Sequence, residues 1–170
     1  MAELTAMIRR RSIALPLLAL LAVLAGASTP GAQARPKPEL TPTADPARVR
    51  PGTSAKLRLK VALPEQIHIQ SDKPRDEAFF PTALVLTPPP GVTVAATSYP
   101  PAVDFKQEGQ SELLAVFEKT FTVTATIAVD ASAKPGELTI PGRFDYQACD
   151  DKVCYRPIKM PVSWTLTVAP

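Results

Sequence analysis

The sequence predicts an all-β protein built as an antiparallel β-sandwich, and three observations support this fold class. Apolar side chains recur at every second position in several segments, which is the period of a strand with one buried face. Proline accounts for 20 of the 170 residues, far above the usual ~5 %, and a proline inside a helix breaks it. Turn signals rich in proline and glycine separate the alternating segments. A helical bundle is therefore not expected.

Residues 1–34 have the parts of a secretory signal peptide. Arg9–Arg11 form a charged region, an apolar run follows, and small-x-small cleavage sites end at Ala27 and Ala34. The apolar run is shorter than the ~20 residues of a membrane-spanning helix, and Pro16 interrupts it. We therefore expect cleavage after Ala27 or Ala34 rather than a membrane anchor. The mature chain would have no membrane span and would lie in the periplasm, with secretion as the alternative.

The charge balance gives no indication of a nucleic-acid partner. The chain has 19 Lys+Arg and 16 Asp+Glu. Residues 1–34 hold three of the basic and one of the acidic side chains. Residues 35–170 therefore have 16 basic and 15 acidic side chains. No basic stripe with interleaved aromatic residues is present in the sequence, so nucleic-acid binding is not expected.

Residues 35–51 are rich in proline and poor in apolar side chains. This composition is typical of an extended, semi-rigid linker rather than of packed structure. The folded domain is then expected to span residues 52–170, beginning at a turn at Pro51-Gly52.

Within this domain, three segments alternate most clearly between apolar and polar side chains: residues 57–63, 121–129 and 162–168. Shorter strand candidates are residues 66–70, 83–86, 92–95, 137–140 and 143–147, and only residues 111–117 are expected to be briefly helical. Seven or eight short strands in about 120 residues predict a sandwich. The two cysteines are too close in sequence to join two sheets, so the predicted fold is an immunoglobulin-like sandwich without the core disulfide.

The chain has two cysteines, Cys149 and Cys154, with four residues between them. In an exported protein such a pair is expected to form a disulfide. On the chain-entropy model a loop of about six residues contributes roughly 2 kcal/mol, against about 4.7 kcal/mol for a hundred-residue loop. The spacing alone leaves three interpretations open: a structural bridge, a redox-active bridge and a metal site.

A metal site would need ligands beyond two thiolates. His68 and Met160 are the only soft candidates, and His68 is explained as an ordinary strand residue. We therefore expect neither a metal nor another cofactor. Hydrolytic chemistry also lacks support, because the single histidine has no convincing serine or cysteine partner in the sequence.

Local charge predicts that the two sulfurs differ. Asp150 and Asp151 follow Cys149 directly and disfavour its thiolate. Cys154 is followed instead by Tyr155 and a positively charged arginine. If the pair exchanges with a partner, Cys154 is expected to attack and Cys149 to resolve.

Residues 144–157 read FDYQACDDKVCYRP, and this segment resembles the redox motif of the N-terminal periplasmic domain of the thiol:disulfide interchange protein DsbD. Residues 63–74, 80–86 and 98–101 also match the pattern of that family. The similarity covers roughly residues 45–169.

The resemblance implies an immunoglobulin-like sandwich whose cysteine pair passes electrons, that is, a thiol–disulfide oxidoreductase module. In the family, a membrane-bound carrier reduces a thioredoxin-like domain. The thioredoxin-like domain reduces the N-terminal domain, and the N-terminal domain then reduces periplasmic clients. Carried over, Cys149 and Cys154 are the redox pair, and Cys154 forms the mixed disulfide. The implied partners are a thioredoxin-like donor and exported client proteins that contain disulfides.

The resemblance also implies a cap loop that shields the disulfide. Residues 103–109 lie at the corresponding place, with Phe105 as the lid and Asp104 beside it. Tyr146 and Tyr155 are expected to line the site. The alternatives are a core position for Phe105 and simple packing at strand ends for the two tyrosines.

The sequence departs from the family pattern in three ways. One residue fewer separates the cysteines than in the best-known members, and residues 67–70 lack the tyrosines that line the site in those members. No transmembrane carrier or thioredoxin-like domain follows before Pro170, so we expect electrons to come from separate proteins. The second hypothesis is a non-catalytic immunoglobulin-like interaction module with a structural disulfide.

Overall fold

The computed structural model describes residues 35–170, and the predicted signal peptide lies outside this range. The described residues form strands joined by turns and contain no helix. The strands are β1 (Glu39–Asp45), β2 (Arg48–Val49), β3 (Ser54–Ala62), β4 (His68–Gln70), β5 (Ala83–Leu86), β6 (Val92–Ser98), β7 (Val103–Phe105), β8 (Leu114–Glu118), β9 (Thr120–Val129), β10 (Gly136–Tyr146), β11 (Ala148–Cys149) and β12 (Ile158–Val168). No helix among these residues is long and apolar enough to cross a membrane.

The strands form three four-stranded sheets with the orders β1-β3-β9-β6, β2-β12-β10-β5 and β11-β4-β8-β7. One hydrophobic core joins the inward faces of the first two sheets. Its largest buried side chains include Trp164, Tyr146 and Phe144. The alternation of β3, β9 and β12 is confirmed, because the apolar positions at their centres are buried and their neighbours are more exposed. The protein is thus the predicted all-β, immunoglobulin-like sandwich.

The expected linker at residues 35–51 is wrong, because part of it is a strand of the first sheet. β1 pairs antiparallel with β3 from Glu39 opposite Ala62 to Asp45 opposite Lys56. Leu40 packs against the core. β1 forms an edge of its sheet, and an edge strand tolerates proline because one row of its N–H groups needs no partner. Pro42 therefore lies within an edge strand, and the other prolines of this segment lie outside β1.

The expected short helix at residues 111–117 is also wrong. β8 lies between β4 and β7 in the third sheet, and its residues from Leu114 to Phe117 are all buried. A short run of buried apolar residues does not alternate, so periodicity cannot distinguish a strand from a helix there.

The third sheet positions the cysteines. β11 pairs with β4, which places Cys149 opposite His68 and Ala148 opposite Ile69. Ile69, Ala148 and Phe117 of this sheet join the core, so the strand that carries Cys149 is anchored to the sandwich.

Candidate functional site

Cys149 and Cys154 form a disulfide at the tip of a tight hairpin. The two residues face each other as an antiparallel bridge, with 4.0 Å between their Cα atoms. The Asp150 N–H donates to the Val153 carbonyl oxygen at 3.0 Å, and the Tyr155 N–H donates to the Ala148 carbonyl oxygen at 2.8 Å. Backbone hydrogen bonds therefore hold the two cysteines next to each other.

The side chain of Asp150 organises this hairpin. Its Oδ1 accepts the N–H groups of Lys152 and Val153, both at 2.8 Å. Its Oδ2 accepts the hydroxyl of Tyr155 at 2.7 Å. These donors, the Val153 N–H foremost, lower the pKa of Asp150, so the group is a carboxylate at neutral pH. The hydrogen bond from the Tyr155 hydroxyl to Asp150 raises the pKa of Tyr155 and places Tyr155 beside the hairpin.

The two sulfurs have different surroundings. Cys149 is fully buried, whereas Cys154 is partly exposed. The Nε2 of Gln70 donates a long hydrogen bond to the Cys149 Sγ at 3.7 Å. The Oε1 of Gln107 lies 3.6 Å from the Cys154 Sγ. Each sulfur thus contacts a different buried glutamine, and Cys154 is the more exposed of the two cysteines.

His68 lies at the site although its sequence position indicated only an ordinary strand residue. Its side chain is on the same face as that of Cys149, since the two residues are directly opposite on paired strands. His68 is 2 % exposed, and its Nε2 has no hydrogen-bond partner among residues 35–170. Burial lowers the pKa of His68 to about 4, against the opposing effect of the Asp150 carboxylate. His68 is therefore neutral at pH 7.

The segment expected to be a cap begins as β7 and then reaches the hairpin. The ring of Phe105 covers the ring of His68, with 4.0 Å between their centroids. The Glu108 N–H donates to the Asp151 carbonyl oxygen at 2.9 Å, which ties the cap to the hairpin. Asp104 forms an ion pair with Arg75. The cap residue that contacts Cys154 is Gln107.

Tyr146 occupies a different place from Tyr155. It is fully buried in the core, where its ring stacks on Phe144. Its hydroxyl donates to the Pro36 carbonyl oxygen at 3.2 Å, and burial raises the pKa of Tyr146 to about 12. These contacts correspond to the packing alternative for this residue.

The third interpretation of the cysteine pair, a metal site, requires further ligands close to the two sulfurs. Within residues 35–170, no group of three or more His, Cys, Asp or Glu side chains is placed to hold a metal ion. Met160, the other soft candidate, has its Sδ 3.6 Å from the Tyr146 hydroxyl in the core.

Two glutamines were missed in the sequence. Gln70 lies in residues 63–74 and Gln107 in the expected cap, residues 103–109. No motif or spacing in the sequence assigns either side chain to a cysteine. Their contacts with the sulfurs arise only when the third sheet and the cap are assembled.

Comparisons with known proteins give a family and a fold. The family model described as "Thiol:disulfide interchange protein DsbD, N-terminal" matches residues 37–163. The crystal structure of the N-terminal periplasmic domain of ScsB from Proteus mirabilis has a TM-score of 0.51 and 16 % identity. That match covers 76 % of this chain and 46 % of the other, so this chain spans less than half of that structure. At this identity the likeness shows the fold alone.

A second solved structure is the DsbD n-terminal domain of Neisseria meningitidis in the reduced form. Its TM-score is 0.39 at 15 % identity, and the match covers 79 % of this chain and 90 % of that one. No curated protein matches the chain.

Proposed function

The chain belongs to the DsbD N-terminal family of thiol:disulfide interchange domains, and from this premise we propose that it passes electrons through Cys149 and Cys154. The donor is a thioredoxin-like protein or domain, and the acceptors are exported client proteins with disulfides. The observation that carries the proposal is the preformed hairpin in which one cysteine is buried and the other is partly exposed. Disulfide exchange requires an accessible sulfur that an incoming thiolate can approach.

In the first half of the cycle, a donor thiolate attacks the Sγ of Cys154. The Cys149–Cys154 bond breaks, and Cys149 leaves as a thiolate that takes up a proton. The second donor thiolate then attacks the donor sulfur of the mixed disulfide and releases Cys154. Two electrons and two protons have entered the domain, and the donor has become a disulfide.

In the second half, the thiolate of Cys154 attacks a client disulfide and releases one client thiolate. The thiolate of Cys149 then attacks the Sγ of Cys154, which re-forms the disulfide and releases the second client thiolate. The client gains two electrons and two protons, so the balance closes without a cofactor. The buried position of Cys149 supports its role as the resolving sulfur, in agreement with the charge argument from the sequence.

We place this exchange in the periplasm. The P. mirabilis relative is a periplasmic domain by its description, and residues 1–34 have the sequence pattern of an export signal. Disulfides form and persist in that compartment.

The reduction potential of the Cys149–Cys154 pair tests the proposal directly. Redox-active pairs lie roughly between −120 and −270 mV, whereas structural disulfides lie below about −300 mV. We expect a value in the upper range when the mature protein is equilibrated in glutathione redox buffers. A value below about −300 mV would support the non-catalytic interaction module instead.

Single-cysteine variants test the roles of the two sulfurs. The probe is a thioredoxin that lacks its resolving cysteine and carries its remaining thiol as an activated aromatic disulfide. We expect Cys149→Ala to form a covalent adduct with this probe, because Cys154 remains accessible. Cys154→Ala is the matched control and should form little adduct, because Cys149 is buried. Equal adduct formation by both variants, measured by mass spectrometry, would contradict the assigned order of attack.

A further inference from the structure

A groove of about 600 Å³ lies beside the disulfide hairpin. Phe105 and the buried His68 line it from the third sheet, and Asp151 lines it from the hairpin itself. The remaining walls come from residues 63–67 and from the turn at residues 118–120. Asp151 is the second residue after Cys149, so the groove borders the loop that the disulfide closes.

The lining of the groove is acidic. Glu65, Glu118 and Asp151 contribute three carboxylates, and Lys119 contributes one ammonium group. Burial keeps the pKa of His68 at about 4, so His68 adds no positive charge at neutral pH. The basic side chains that flank the disulfide, Lys152 and Arg156, are not part of the groove lining.

One residue of the groove lining, His68, has an unmet hydrogen-bonding atom. The Nε2 of His68 has no partner within residues 35–170, although His68 is only 2 % exposed. Buried polar atoms are ordinarily hydrogen-bonded, and an exception calls for an explanation. His68 belongs to the lining, so an occupant of the groove can supply the missing partner once the Phe105 ring that covers the imidazole shifts. This observation is independent of the acidic side chains.

We propose that the groove holds a positively charged segment of the client, so that the domain preferentially reduces disulfides flanked by lysine or arginine. The inference rests on the proposed function and names its substrate class. Carboxylates around a site attract a cationic partner and speed its association, and they disfavour an acidic one.

The test compares two peptides, each a symmetric disulfide dimer of one cysteine-containing chain. In one peptide lysines flank the cysteine, and in the other glutamates do. The mature protein is first reduced with dithiothreitol, which is then removed. Cys154 attacks one peptide sulfur, one peptide thiolate leaves, and Cys149 releases the second. Each turnover oxidises one protein dithiol and yields two peptide thiols.

Rates are divided by those of the same peptides with 2-mercaptoethanol, a neutral thiol, to remove differences in intrinsic reactivity. We expect the lysine peptide to react faster at low salt. The preference should shrink at high salt, because ions screen exposed charges. Glu65→Gln and Asp151→Asn, both at exposed positions, should each reduce the preference by about 1.4- to fivefold, the range of exposed charge pairs. Glu137→Gln, an exposed carboxylate on β10 outside the groove, should leave it unchanged.

The outcomes separate the inference from the proposed function. If neither peptide is reduced, the proposed interchange activity itself is wrong. If both peptides are reduced at equal normalised rates, the activity stands and the cationic preference is overturned. A preference that survives both groove variants unchanged would also overturn it, because the groove would not be its source.

Discussion

The two sulfurs of the disulfide contact two different amides, and Gln70 shows what this means for redox chemistry. In the oxidised protein its Nε2 donates to Cys149 at 3.7 Å, while its buried Oε1 has no partner within residues 35–170. After reduction, Cys149 carries an S–H group that can donate to this oxygen once the amide turns. Because this bond satisfies a buried acceptor that is unmet in the oxidised protein, and an unmet buried acceptor is costly, we expect Gln70 to favour the reduced form.

Replacing this amide should shift the reduction potential. Gln70→Met keeps the length of the side chain but removes the acceptor, so we expect a potential more negative by about 20 mV. One hydrogen bond contributes about 1 kcal/mol, and 1.4 kcal/mol corresponds to about 30 mV for two electrons. Equilibration in glutathione buffers measures the shift, with the exposed Gln110→Met as the control. A potential that rises in Gln70→Met would refute this role.

His68 is the single histidine of the chain, and it makes stability depend on pH in a defined window. Its pKa is about 4 in the folded protein and 6.5 in the unfolded chain. As the pH falls below 6.5, the unfolded chain binds a proton that the folded protein does not, so the free energy of unfolding decreases until about pH 4. Asp150 also has a lowered pKa, but its contribution is lost only below its model value of 3.8.

Urea unfolding of the wild type and of His68→Phe measures this effect. The variant retains an aromatic ring against Phe105 and lacks the titrating group. We expect the wild type to lose stability relative to the variant as the pH falls through the window. Parallel pH profiles for the two proteins would show that His68 does not carry the dependence.

At the residue scale, the sequence predicted the cysteine pair but only part of its surroundings. Charge next to Cys149 predicts different thiolate stability at the two sulfurs, because it is a property of sequence neighbours. Gln70 and His68 reach the site through the pairing of β4 with β11. Gln107 reaches it through the cap. Such contacts depend on register between distant segments, which no local pattern specifies.

At the scale of elements, alternation predicted the strands with one buried face and missed those without it. β3, β9 and β12 show the period of two in both sequence and burial. β8 is buried on both faces, so it lacks the alternating signal. In β1 only Leu40 and Ala44 are partly buried, with Pro42 between them, so its alternation is weak. β10 joins two predicted strands across Pro141, which pairs with Ser163 of β12.

Gly142 makes the close pairing of β10 with β5 possible. An added Cβ would lie 2.8 Å from both the Leu86 Cδ2 and the Val85 carbonyl oxygen. We expect Gly142→Ala to lower the free energy of unfolding by about 1–3 kcal/mol, the usual cost of overpacking. Urea unfolding measures it, and Thr139→Ala at an exposed position of the same strand is the control. Equal stability of the two variants would show that β5 moves aside at no cost.

For the whole molecule, the core and the disulfide are largely independent sources of stability. The core joins the first two sheets, and the disulfide closes a loop with a sequence separation of 5. A loop of this size contributes roughly 2 kcal/mol, while domains have about 5–15 kcal/mol in total. The reduced protein should therefore remain folded.

Urea unfolding with and without dithiothreitol tests this independence. We expect the reductant to lower the free energy of unfolding by about 2 kcal/mol in the wild type. The double variant Cys149→Ala with Cys154→Ala should be insensitive to the reductant. A reduced protein that is unfolded without urea would contradict the expectation.

The link between cap and hairpin has a consequence for the rate law of exchange. Gln107 lies against Cys154, and the Glu108 N–H bonds to the Asp151 carbonyl oxygen, so in the proposed exchange we expect attack on the partly exposed Cys154 to proceed mainly after the cap moves. While attack is slower than cap closure, the rate is proportional to thiol concentration. Once attack is faster, the rate reaches a ceiling equal to the opening rate and becomes the same for every thiol. In the proposed exchange, the rate at which this contact between cap and hairpin opens would then limit electron transfer.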